Sequence, residues 1–283
     1  VIERAYSGRD IMLLLDLSGS MVADDMFDES GKRVDRLRTL LAAADIFVDK
    51  RPSDRIGLTL FATSAVTACP PTLDHESLKS ILHDVEEQMR VEWQQVNHYG
   101  IPTGGIVGPG TNTGLGIANA LVHLEDPEAT AGRAVIIFTD GKDSRNLANW
   151  VDPLKAALQA KRLGVRLHAI GVGNRQGQMT DFQLFRMTGQ RRLMSIPREA
   201  PTMLPDQQRL REIVEMTDGE AMHADSREDM LGIFAQLDEL EPSEHVFERH
   251  ENFADRFPWP LSLGLLLIAC VWLAEPRLRG VPE

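Results

Sequence analysis

Three observations on this 283-residue chain predict an α/β fold: a doubly wound, mostly parallel sheet with helices on both faces, followed by a C-terminal transmembrane helix. Short apolar runs alternate with longer segments of helical periodicity. The principal runs, Ile11–Leu15 and Ala134–Phe138, are uniformly apolar, as strands covered on both faces must be. Near the C-terminus, the 18 residues Phe257–Ala274 contain no charge.

The first strand, Ile11-Met-Leu-Leu-Leu15, ends at Asp16, and Leu37, Leu40, Leu41, Ala44, Phe47 and Val48 follow at helical spacing. Residues 55–62 form a second strand, with 65–69 as a short neighbour. Leu78, Ile81, Leu82, Val85 and Met89 mark a second helix. After a glycine-rich stretch come a helix near 114–124, a strand at 134–139, a helix at 153–163 and a strand at 165–170. A helix at 206–217, a weak strand at 220–224 and a helix at 226–240 complete the pattern, the last with Met230, Ile233, Phe234 and Leu237 on its apolar side. In such sheets ligands bind at the carboxyl ends of the strands, which places the chemistry after Leu15, Thr139 and Ile170.

Lys and Arg number 30 against 42 Asp and Glu, for a net charge of −12, and 43% of residues are hydrophobic. That composition excludes wholesale disorder and argues against a nucleic-acid partner, which needs a basic face. Two cysteines make no disulfide framework: Cys69 reads as a small buried hydrophobe, and Cys270 lies inside the apolar stretch.

That stretch spans about 27 Å as a helix, close to the hydrocarbon thickness of a bilayer. Trp259 and Trp272 sit near its ends, and Pro258 and Pro260 suit its first turn. No polar face is present to meet water, so a membrane anchor is preferred to a buried helix. Arg277 and Arg279 place the tail in the cytoplasm and the large domain outside. The expected divisions are a domain over 1–240, a charged stalk over 241–256, the anchor over 257–275 and a tail over 276–283. Val1 is not an initiator methionine, so any signal peptide or N-terminal anchor has been removed or was never included.

Three motifs converge on the carboxyl edge. Asp16-Leu-Ser18-Gly-Ser20 follows the first strand, Asp140-Gly141 follows a later one, and Gly110-Thr111-Asn-Thr113-Gly114 opens a helix. Two carboxylates and several hydroxyls make oxygen-only coordination suited to a hard divalent cation. Neutral hydroxyls leave the metal short of negative charge, so an open position can accept a carboxylate from another molecule.

These residues resemble the von Willebrand factor A domain, over roughly residues 8–240. The resemblance implies a metal-ion-dependent adhesion site with Asp16, Ser18, Ser20, Thr111 and Asp140 as ligands. Thr113 is the competing threonine, and Thr111 is preferred because it directly follows Gly110. The implied ion is Mg²⁺, with Mn²⁺ or Ca²⁺ as alternatives, and the implied partner is a protein offering an Asp or Glu.

Further motifs resemble the bacterial Bat-type proteins of the aerotolerance operon, which are associated with MoxR-family ATPases. They are Gly8-Arg-Asp-Ile-Met-Leu, Asp16-Leu-Ser-Gly-Ser-Met21, Asp54-Arg-Ile-Gly-Leu58, Pro70-Pro-Thr-Leu-Asp74, Gly171-Val-Gly173 and Phe257-Pro-Trp-Pro. The resemblance implies N-terminal transmembrane helices before the A domain, an inner-membrane location with that domain in the periplasm, and partners among other Bat-type proteins and a MoxR-family system. It implies assembly or maintenance of an envelope or MoxR-linked complex, with a structural membrane subunit as the alternative.

Two segments are read as a partner-specific rim, against solvated loop decoration. Arg90–Gly110 carries Trp93, His98 and Tyr99, and 172–205 carries Arg175, Arg191 and Arg192 within a net charge of +3. Asp24, Asp25, Asp28 and Glu29 read as a solvated acidic loop, close enough to Ser20 to favour a cation there or to repel acidic partners.

Catalytic readings fit less well. An aspartyl-phosphatase loop wants an acid where Ser18 stands, and a serine nucleophile needs a glycine elbow and a positioned histidine. The Gly-Thr-Asn-Thr-Gly loop lacks a phosphate-binding lysine, and the histidines match no zinc spacing. His168 reads as a satisfied core or edge histidine. The chain is therefore expected to bind rather than to catalyse.

Overall fold

The computed structural model describes residues 8–22, 25–28, 30–94, 110–125, 132–173, 206–242 and 262–269, with side chains 22 and 90–94 excepted. The chain divides into two units, Tyr6–Val246 and a second made of Val1–Ala5 with Phe247–Glu283.

In the first unit, strand β1 (Asp10–Asp16) lies at the centre of a six-stranded sheet. It pairs in parallel with β4 (Arg55–Phe61) on one side and β6 (Arg133–Thr139) on the other. Beyond β6 come β7 (Arg166–Val172) and β8 (Ala221–Ala224), both parallel, and beyond β4 comes the antiparallel edge β5 (Ala65–Thr72). β5 runs past the expected 65–69 through Pro70 and Pro71, which an edge strand tolerates because its outer N–H groups are not needed for pairing.

Alternation along the strands fills two cores. Ile11, Leu13 and Leu15 point to one face, with Ile136 and Phe138, under helices α1 (Arg36–Asp49), α2 (His75–Gln94) and α6 (Arg227–Leu240). Met12 and Leu14 point to the other, with Val135 and Ile137, under α3 (Thr113–Val122), α4 (Pro153–Leu163) and α5 (Gln207–Glu215). Each strand of the parallel centre thus buries both faces, the physical reason its sequence is uniformly apolar. α6 is seated by Phe234, whose ring lies 4.7 Å from Phe47 and 5.9 Å from Phe138.

Most helix starts are set by side-chain caps. Asp35, Asn112, Asp152, Asp206 and Ser226 each accept a backbone N–H at the start of α1, α3, α4, α5 and α6. Pro153 adds its pre-set φ at the first position of α4.

Two sequence expectations change. Residues 24–29, read as a solvated loop, include part of a small hairpin, β2 (Met26–Phe27) against β3 (Arg33–Val34), and Asp25 is buried. Glu241, read as the first residue of a charged stalk, is buried at the end of α6. His168 is satisfied as expected: Nδ1 accepts the Glu220 N–H and Nε2 meets Glu241 at 3.1 Å.

In the second unit residues 262–269 are helical, with Leu263, Leu265, Leu266, Leu267 and Ile268 each more than 60% exposed. Among the described residues no helix is long and apolar enough to cross a membrane, and the rest of the expected span lies outside them.

Candidate metal centre

The chain runs outward from β1 through β4 to β5, then crosses to β6, β7 and β8 on the opposite side. This makes the gap between the carboxyl ends of β1 and β6 a topological switch point, from which the strand order runs outward in opposite directions. Asp16 ends β1 and Asp140 directly follows β6, so the fold brings two acids 124 positions apart in sequence to one crevice.

Both carboxylates are buried. Asp16 Oδ1 accepts the Ser18 N–H at 2.7 Å, and Oδ2 accepts the Thr139 hydroxyl at 2.6 Å. No ion pair reaches Asp16 among the described residues. Burial first, and then the neighbouring Asp140 carboxylate, push its carboxyl up to about 7. Asp140 Oδ1 accepts the Lys142 N–H at 3.2 Å, while its Oδ2 faces Arg36 Nη1 at 3.4 Å. Ser18 and Ser20 hydroxyls are 3.0 Å apart, so the D-x-S-x-S loop presents a carboxylate and two hydroxyls together.

The turn after Asp140 demands glycine. Gly141 has φ +80°, and a Cβ there would stand 2.9 Å from the Asp206 carbonyl. That close approach seats the start of α5 beside the site, where the Asp206 N–H donates to the Asp140 carbonyl at 2.8 Å. Burial also lowers the pKa of the half-buried Lys142 ammonium, partly offset by Asp140.

Thr111 and Thr113 are both buried on the loop that opens α3. Ser144 holds the Thr111 backbone from both sides: its hydroxyl accepts the Thr111 N–H at 3.1 Å, and its N–H donates to the Thr111 carbonyl at 2.8 Å. Asp143 accepts the Thr113 N–H at 2.9 Å and the Trp150 indole N–H. The threonine loop and the Asp140 loop are therefore one hydrogen-bonded body. Asp143, Ser144 and Arg36 escaped the sequence reading. Only the short distance from Asp140 to Asp143 and Ser144 hinted at the first two.

Among the described residues no three His, Cys, Asp or Glu side chains cluster as a metal group. The candidate set fits a divalent ion on other grounds: two buried, under-compensated carboxylates beside neutral hydroxyls are hard oxygen donors short of positive charge. Of the expected rim, His98, Tyr99, Arg175, Arg191 and Arg192 lie outside the described residues, and Trp93 is described only as backbone within α2.

Residues 11–142 match the family model of the von Willebrand factor type A domain. An uncharacterized protein of Borreliella burgdorferi is 29% identical over 178 residues, 63% of this chain and 45% of that protein. A UPF0353 protein of Nocardia farcinica is 26% identical over 271 residues, 92% of this chain and 69% of its own length. The chain thus spans less than half of the first relative.

Among solved structures, the fold matches BatB from Bacteroides thetaiotaomicron with a TM-score of 0.59 at 22% identity, over 82% of this chain and 98% of that one. It matches an aerotolerance-related membrane protein from Bacteroides fragilis at 0.58 and 22%, over 81% and 98%. It also matches the mussel-byssus proximal thread matrix protein 1 with a zinc-occupied MIDAS motif, at 0.50 and 17%, over 83% and 48%.

Proposed function

We propose that the protein is a membrane-anchored, metal-dependent binding module that captures a carboxylate of a protein partner, in assembly or maintenance of an envelope or MoxR-linked complex. The observation that carries this reading is the buried Asp16–Asp140 pair, held by hydrogen bonds and short of positive charge, at the switch point of the sheet. Asp16, Ser18, Ser20, Thr111 and Asp140 would hold the ion, Mg²⁺ by preference. A bound ion supplies Lewis acidity and an open position for the partner's Asp or Glu. The chain's own residues do the rest: Thr139 and the Ser18 N–H orient Asp16, the Lys142 N–H orients Asp140, and Ser144 fixes the Thr111 loop. Among the described residues no positioned nucleophile and base support a catalytic role.

The anchor reading covers 257–275, and exposed Leu and Ile along 262–269 support an apolar surrounding for that segment. It places the sheet domain in the periplasm of the inner membrane, with other Bat-type proteins and a MoxR-family system as candidate partners. The rim segments around Trp93 and Arg191 remain part of this proposal as partner contacts.

Crosslinking and pull-down from membranes, with Mg²⁺ and with EDTA, tests the reading. Capture of the partner should require metal and disappear in Asp16→Ala, and metal-independent capture would contradict it. The rival, a structural subunit whose site serves local order, draws on Arg36, which already supplies some positive charge beside Asp140. In that case assembly persists in EDTA.

A further inference from the structure

Arg36 occupies an unusual place for a cation. It is the first residue of α1, where the helix dipole disfavours positive charge, and its side chain is only 1% exposed. Burying a guanidinium there requires specific partners. Asp25 supplies them, accepting Nε at 2.8 Å and Nη2 at 2.5 Å in a two-point fork. Burial works against the charge, but Asp25, Asp140 and Asp16 outweigh it and hold the Arg36 pKa above the ordinary value. The slot itself is cut by Gly173 at the end of β7: φ there is +129°, and a Cβ would sit 2.5 Å from the guanidinium carbon.

The remaining nitrogen, Nη1, faces Asp140 Oδ2 at 3.4 Å, long for a charge-assisted contact, which is usually about 2.7–2.9 Å. The guanidinium is thus tightly bound to Asp25 and loosely bound to a candidate metal ligand. Asp25 and Asp140 thus share this one buried arginine on unequal terms.

We propose that Arg36, held by Asp25, is an internal counter-ion of the metal site that competes with the divalent ion for Asp140 and thereby sets its affinity. This rests on the metal-site reading above and assigns a role to two residues which that reading does not use. In the metal-free domain, Arg36 partly neutralises Asp140. When the site is filled, the loose Nη1 contact is the one that yields, because the Asp25 fork keeps the guanidinium from leaving with it. The cost of bringing a second positive charge next to the first is paid in affinity.

Isothermal titration of the full chain with Mn²⁺ tests this on three proteins. Arg36→Met/Asp25→Leu replaces the pair with apolar side chains of similar size, and should bind Mn²⁺ roughly tenfold more tightly than the parent. Equal or weaker binding by the folded double variant overturns the inference. If that variant fails to fold, the parent chain still decides: the Arg36 side-chain ¹⁵Nε resonance should shift on saturation with Mg²⁺, and an unchanged resonance overturns the inference. Asp16→Asn separates the two levels. Parent binding that Asp16→Asn abolishes, together with unchanged affinity in the pair variant, sinks only the role of Arg36. Absence of binding in the parent sinks the metal site and this inference together.

Discussion

The two edges of the central sheet bury acids in opposite company. At the amino edge, Glu241 meets Arg9 at 2.5 Å, Arg166 at 2.7 Å and His168 at 3.1 Å. Asp54 is paired with Arg51 at 2.8 Å and takes the Arg9 N–H, Arg51 also reaches Asp238, and Asp10 is paired with Arg55. At the carboxyl edge, Asp16 has hydrogen bonds but no cation among the described residues, and Asp140 shares a loosely placed Arg36 with Asp25. The residue types and the burial are alike; the charge balance is not. A compensated edge is finished as structure, whereas an under-compensated one stores a demand for positive charge that a ligand can meet.

Removing one acid from each edge should separate these roles. Glu241→Ala leaves Arg9, Arg166 and His168 without their shared partner and should cost about 3–5 kcal/mol of stability, read by chemical denaturation. Asp16→Asn keeps the shape and removes a repelling charge, so in EDTA it should leave the denaturation midpoint unchanged or raise it. A large loss there would make the carboxyl edge structural too, and the contrast would fail.

Metal supplies the second test. Mg²⁺ at a hundredfold excess over its dissociation constant should stabilise the parent by about 2.7 kcal/mol, and Asp16→Asn by nothing measurable. Glu241→Ala, though weaker, should keep the full increment, because its defect lies at the other edge. A loss of the increment in Glu241→Ala would show that the two edges are coupled.

The smallest expected effect concerns the loop clamp. Ser144→Ala removes the acceptor of the Thr111 N–H and should cost about 1 kcal/mol of stability, with a several-fold loss of Mn²⁺ affinity by titration. Arg38→Ala, which breaks an exposed pair with Glu86, is the matched control and should change neither reading.

Much of this was readable in one dimension. The strands before Asp16 and Asp140 announce themselves because a doubly covered strand must be apolar along its whole length, and an acid directly after it must lie at the carboxyl edge. The helix over 153–163 was likewise legible and is α4 of the structure. Asp25 and Glu241 were misplaced for a common reason: a charged residue in a polar stretch reads as solvated, and what buries it comes from far away. Asp25 pairs with Arg36, 11 positions on, and Glu241 with His168, 73 positions back. Periodicity carries no trace of such pairings.

The sequence by itself determined the alternation of strands and helices, the acids and hydroxyls at the strand ends, and the uncharged C-terminal segment, because each depends on residues close together in the chain. Only the tertiary structure decided which acids are satisfied. Arg9, Arg51, Arg55 and Arg166 bring positive charge to the amino edge from four separate places in the chain, and among the described residues no ion pair reaches Asp16. Charge compensation is a sum over neighbours in space, and that sum exists only once the sheet has brought its two edges together.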